Sequence, residues 1–128
     1  MESLRLSLHV IGVSVWVGGQ LVLAALVPFL RKRDPELPKL VAGKFNQVAW
    51  AAYCLLIITG IWNVVSIDKQ ITNTYKIELT LKILVVALSG VSAFLHAKSK
   101  STFGLAFWGA LSGLSALSAT YIGVLLAS

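Results

Sequence analysis

Charge is what this chain has least of. Of its 128 residues only 12% are Asp, Glu, Lys or Arg, about half the share a soluble domain carries. That shortage excludes an ordinary soluble globular domain. With 57% hydrophobic residues and a mean hydropathy of +0.83, the chain reads as an integral membrane protein of one domain, 1–128. Acidic residues are scarcer than basic ones, five against eleven, which leaves a formal charge of +6. Nothing resembles a soluble nucleic-acid-binding module, so the positive charge is read as a topology signal plus attraction to anionic lipid. The expected surroundings are a lipid bilayer, and nucleic acid is not an expected partner. Cysteine is nearly absent too. The single Cys54 excludes an intrachain disulfide framework. Low-complexity tracts are missing, and no repeat relates the two halves.

What is present is four apolar runs, predicting helices at about 3–30, 45–67, 74–97 and 103–127. Each reaches the roughly 20 residues that a membrane span requires. The segment 35–44 is expected to begin as a short interfacial helix. Arg5 precedes the first run as it would in a signal peptide. The run, however, exceeds an h-region of about 7–15 residues, and no clear small-x-small cleavage site precedes Arg31-Lys32-Arg33, so it is expected to be retained. Short connections make successive spans antiparallel neighbours. The expected fold is therefore all-α, a four-helix transmembrane up-down bundle.

The loops set the orientation. The first and third connections hold seven basic residues: Arg31, Lys32, Arg33, Lys39, Lys44, Lys98 and Lys100. The opposite side holds three, Arg5, Lys69 and Lys76. The richer side is expected to be cytoplasmic. Both termini and the 68–75 connection of this cell-membrane protein would then face outward.

Polar groups inside such helices are the functional candidates. An ionisable side chain within a span is costly unless it faces a partner or a cavity. In the first run His9, Gly12, Trp16 and Gly19 follow at steps of three or four, and so share one stripe. The second offers Asn46, Trp50, Tyr53, Cys54, Thr59-Gly60 and Trp62-Asn63. On the third, Glu78, Lys82, Ser89, Ala93 and His96 share a face, and the fourth carries small residues from Gly109 through Ser112, Gly113, Ala116 and Thr120 to Gly123. Small residues so spaced allow close helix packing or leave room for a ligand.

Depth decides which of these can cooperate. His9 lies about six residues into its helix and Lys82 about eight into a parallel one, both roughly 10 Å below the same end. His96 is fourteen residues beyond Lys82, roughly 20 Å deeper. The two histidines are therefore not expected to share a metal, whereas His9 and Lys82 are expected to share a site. The plainer alternatives are helix packing for His9, a snorkelling Lys82 paired with Glu78, and an interfacial, hydrogen-bonded His96.

His9-Val10-Ile11 followed by Trp16-Val17-Gly18-Gly19 resembles the first helix of the copper-resistance D (CopD-like) membrane family. It also resembles the related HemJ-type protoporphyrinogen oxidases. Thr59-Gly60-Ile61-Trp62 is similar to the Thr-Gly step of their second helix, and Leu81-Lys82-Ile83 with His96 to their lysine-then-histidine third helix. The resemblance implies a four-helix fold that binds haem b. It implies His9 as the axial metal ligand, and Lys82 as a second ligand or a catalytic cation in the pocket. The HemJ-type proteins continue into a Leu-Pro-Arg-Leu segment. Here the region reads Ala25-Leu26-Val27-Pro28-Phe29-Leu30-Arg31, which keeps the proline but not the arrangement.

Copper is the alternative cofactor, as in a CopD-type permease. Cu(I) favours Cys and Met ligands, and the chain has one of each. Haem iron is commonly held by a histidine, and the porphyrin needs apolar walls and donors for its propionates. Gly12, Trp16, Gly19, Trp62, Asn63 and Thr120 are the expected pocket residues. The expected activity is a haem-dependent oxidoreductase acting on oxygen, nitric oxide, a quinone or a porphyrinogen, with a small-molecule substrate or redox partner. A copper permease and a non-catalytic assembly subunit remain the other classes, and a homodimer is allowed for.

Overall fold

The computed structural model describes residues 2–66 and 72–127. Of the predicted 68–75 connection, residues 68–71 and with them Lys69 lie outside the described residues. Four helices account for almost everything described: α1 (Glu2–Arg33), α2 (Leu37–Val65), α3 (Asn73–Lys98) and α4 (Thr102–Ala127). The all-α, four-helix class expected from the sequence is what the structure shows, with no strand among the described residues. All four helices are long and apolar enough to cross a membrane, which makes this a multi-pass membrane protein.

Local chemistry explains the helix ends. The last turn of α1 carries Arg31, Lys32 and Arg33, the sign that complements the negative end of a helix dipole. Asp34 then breaks into extended backbone, and its carboxylate accepts the Glu36 amide at 2.9 Å. Pro38 enters α2 in its first turn, where its missing N–H costs nothing. The expected short interfacial helix at 35–44 is thus not separate. From Leu37 onward it is the first turns of α2, because neither Lys39 nor Lys44 interrupts the helix. Thr72 caps α3 by accepting the Tyr75 amide at 3.1 Å. Ser101 does the same for Gly104 in the first turn of α4, at 2.9 Å.

The chain divides into two compact units, Met1–Asp68 and Lys69–Ser128. The first is the antiparallel pair α1–α2. Gly12 marks a close approach of the two helices: a Cβ there would stand 3.0 Å from Leu56 Cγ and 3.2 Å from the Ala52 carbonyl oxygen. Deeper along α1, a Cβ on Gly19 would collide with the Phe45 ring. Between these points Ser14–Gly18 forms a π-helical turn, the wider coil that often marks a functional position. The Ser14 hydroxyl donates to the Val10 carbonyl at 2.8 Å. Within the π turn Trp16, 4% exposed, packs against Trp50 and Tyr53 with ring centroids 5.2 and 4.6 Å away.

The second unit is the antiparallel pair α3–α4. Its seam is serine and alanine rather than leucine. Ser89 donates to the Ser112 carbonyl and Ser112 to the Ser89 carbonyl, each at 3.0 Å, a reciprocal clamp between the helices. Ser92, Ser115, Ala116 and Ala119 are also buried. Small side chains bring two backbones close where lipid supplies no hydrophobic drive for helices to associate.

Candidate functional site

His9 sits two turns into α1, half-buried, facing α2. Its Nδ1 lies 2.7 Å from the Thr59 hydroxyl. Thr59 is 1% exposed, and its own proton is directed to the Leu55 carbonyl at 2.7 Å, with the Leu56 carbonyl at 3.3 Å. A hydroxyl has one proton. With that proton spent on Leu55, the Thr59 oxygen accepts, and Nδ1–H of His9 donates. The arrangement assigns the tautomer: Nδ1 carries the hydrogen and Nε2 is the basic nitrogen. A histidine fixed through one ring nitrogen by a donor–acceptor chain is how proteins orient metal ligands.

The other side of the ring is kept small. A Cβ added to Gly60 would stand 4.0 Å from His9 Cε1, so the α2 residue beside the imidazole contributes no bulk. The Thr59-Gly60 step therefore acts twice, one residue holding the ring and the next giving it space.

One turn toward the N-terminus the pair carries a second polar layer. The facing positions Gly12 with Leu56 and His9 with Thr59 step in opposite directions along the two helices. Continuing that register places Arg5 level with Asn63. The Arg5 side chain is 15% exposed, and its nearest anion is Glu2 at 3.9 Å, whose own side chain is 78% exposed. Arg5 Nε and Asn63 Oδ1 are both buried with no hydrogen-bond partner. Trp62 beside them is 36% exposed.

The remaining predicted site residues separate by role. Gly12, Trp16 and Gly19 do lie on the stripe with His9 that faces α2. The space opposite them is filled by Leu56, by Trp50 with Tyr53, and by Phe45 respectively, so within this unit they make the helix seam. A shallow apolar groove runs deeper between Ser14–Gly19 of α1 and Val41–Val48 of α2, with Lys44 on its wall and without His9. Lys82, His96 and Thr120 belong to the second unit, so neither unit by itself contains the predicted His9–Lys82 pair.

Within its own unit Lys82 is half-buried against α4: a Cβ on Gly123 would stand 3.1 Å from its Nζ. It makes no ion pair with Glu78, Arg5–Glu2 being the ion pair among the described residues. Thr120 donates to the Ala116 carbonyl at 2.9 Å. His96 is held near the end of α3, its Nδ1 2.8 Å from the Leu105 carbonyl and its ring against Gly109. Cys54 is exposed on α2.

Sequence reasoning had singled out His9 but not its partner. In the sequence Thr59 stands among the polar residues of the second run and in a family-like step, with nothing to pair it with His9, and Arg5 reads only as a flanking charge. The signal for both was the antiparallel register of the first two helices, counted from their common connection. Among the described residues no group of three or more His, Cys, Asp and Glu is placed to hold a metal ion. No protein-family model matches the chain, and no curated protein or solved structure matches it either.

Proposed function

We propose that this multi-pass protein of the cell membrane, with both termini outside, carries haem b on His9 and performs redox chemistry on a small molecule. The observation that carries the reading is the His9–Thr59–Leu55 chain. It fixes from behind the orientation of an imidazole carried on a helix of membrane-spanning length. Haem iron needs few protein donors because the porphyrin supplies four of its own, and a proximal histidine is a common axial ligand. One imidazole therefore suffices for haem, whereas a zinc-like site takes three or four protein donors, and no group of three or more His, Cys, Asp and Glu is so placed among the described residues. That favours haem over copper.

His9 is the residue that would hold the group, Thr59 its positioning residue, and Gly60 the gap beside the ring. When bound, the haem would supply one-electron exchange or small-gas binding. The chain's own part is to orient the imidazole and keep water from it. The resemblance of the first three helices to the CopD-like and HemJ-type families points the same way. Oxygen, nitric oxide, a quinone and a porphyrinogen are the candidate reactants.

Purified protein should show a Soret band, and a pyridine haemochrome assay should return protohaem in stoichiometric amount. His9→Ala should lose the band while the protein still inserts and remains helical. Full retention of haem with an unchanged spectrum in His9→Ala would overturn the reading, as would stoichiometric copper without haem in the wild type.

A further inference from the structure

We propose that Arg5 and Asn63 form a carboxylate subsite one helical turn outward of His9, and that its occupant is a propionate of the porphyrin. The inference rests on the haem reading but stands on different atoms. A guanidinium donor buried without an acceptor is costly. Arg5 Nε is in that state. Its neighbour Glu2 does not relieve it, since 3.9 Å is too long for a hydrogen bond and the Glu2 carboxylate is mostly in solvent. Asn63 Oδ1 is buried and unbonded at the level where the α1–α2 register places it opposite Arg5. Two orphaned polar groups at one level of the pair, one turn from the His9–Thr59 layer, mark a place built for a polar guest.

The chemistry of that guest follows from the groups. Arginine presents Nε and Nη in a fork that matches the two oxygens of a carboxylate. The Asn63 amide, turned by half a rotation about its last torsion, exchanges acceptor for donor without moving any other atom. Direction agrees as well. A carboxylate is expelled from hydrocarbon toward the polar boundary. From His9, Arg5 and Asn63 lie toward the near end of both helices, at Glu2 and Val65.

The subsite is tested by titrating the full-length protein in detergent with haem b and, separately, with its dimethyl ester, which lacks both carboxylates. Wild type should bind haem b about tenfold or more tightly than the ester, the order expected of a charge-assisted pair. Arg5→Gln should erase that preference while leaving the ester's affinity and Soret position unchanged, and Arg5→Lys should retain part of it. Asn63→Asp, which sets a like charge against the carboxylate, should weaken haem b alone. The ester's unchanged binding is the control that each variant is folded. Equal affinity of wild type for haem b and ester, or equal weakening of both by Arg5→Gln, would overturn the subsite and leave His9 ligation standing. Undiminished haem binding by His9→Ala would instead overturn the haem reading.

Discussion

The His9 imidazole and the Thr59 hydroxyl stand 2.7 Å apart across α1 and α2, and the direction of that bond is set by a third group, the Leu55 carbonyl. Fifty residues of sequence separate the two side chains. The contact therefore depends on the antiparallel register of the pair, and on Gly12 allowing the backbones to approach one turn deeper. Position, tautomer and access at His9 are consequences of α2 as much as of α1.

Thr59→Val removes the acceptor and keeps the shape. The imidazole should then sample both tautomers and more than one orientation, and haem affinity should fall by about 10–100-fold, as for other lost second-layer partners of metal-bound histidines. Thr59→Ser should restore most of it, because the hydroxyl returns. The measurement is a Soret titration with the ester and acid forms in parallel. If Thr59 held the ring through its bulk alone, Val would behave as wild type and Ser would not.

The seam below His9 should be intolerant of added atoms. Gly12→Ala places a methyl 3.0 Å from Leu56 Cγ and 3.2 Å from the Ala52 carbonyl oxygen, and the backbone atom has nowhere to go. Overpacking of this kind costs about 1–3 kcal/mol. The melting temperature in detergent should drop, and Leu56→Ala in the same chain should recover part of it. Gly18→Ala is the internal control, since nothing lies within 4 Å of its added methyl. A melt unchanged by Gly12→Ala would mean that the pair is not this closely packed.

Much of the architecture was legible because the bilayer enforces it. Apolar runs broken by Arg31-Lys32-Arg33 and by Lys98-Ser99-Lys100 allow few other readings. The predicted helices match those found to within a few residues, except at the start of α2. There a lysine every few residues looks like a loop but is compatible with a helix projecting past the hydrocarbon. The stripe of His9, Gly12, Trp16 and Gly19 was legible as a face. Spacing cannot say what fills the space opposite, and Leu56, Trp50, Tyr53 and Phe45 come from another helix. The π turn at Ser14–Gly18 leaves no periodic signature of its own. Arg5 is hidden because a charge near a helix end reads as topology, and spacing along one helix does not show that its side chain is only 15% exposed.

In the second unit the reciprocal serines should act nearly independently. Each hydroxyl bonds the other's backbone carbonyl, so removing one leaves the other intact. Ser89→Ala and Ser112→Ala should each cost about 0.6 kcal/mol, the average for an interhelical hydrogen bond in a membrane, and the double variant close to the sum. Ser89→Leu should cost far more, because the site is 1% exposed and lies at the seam. Helix association measured in mixed micelles with an unfolding detergent reads all four. A double variant costing no more than either single would show the two bonds to be one coupled unit.

The proposed orientation is testable at positions the helices leave exposed. In a Cys54→Ser background, single cysteines at Thr74, beside the start of α3, and at Lys100, after its end, sit on opposite sides of the span. A membrane-impermeant maleimide added to intact cells should label Thr74→Cys and leave Lys100→Cys untouched until the membrane is opened. Lys32→Cys, at the end of α1, should behave as Lys100→Cys does. The cause is the basic asymmetry, so removing it should remove the outcome. Replacing Arg31, Lys32 and Arg33 by Gln reduces seven basic residues on one side to four, against three on the other. Loop charge then hardly discriminates the two orientations, and Thr74→Cys should label only in part. Labelling of Lys100→Cys from outside in the unaltered chain would invert the topology, with Arg5, Asn63 and His9 at the cytoplasmic end.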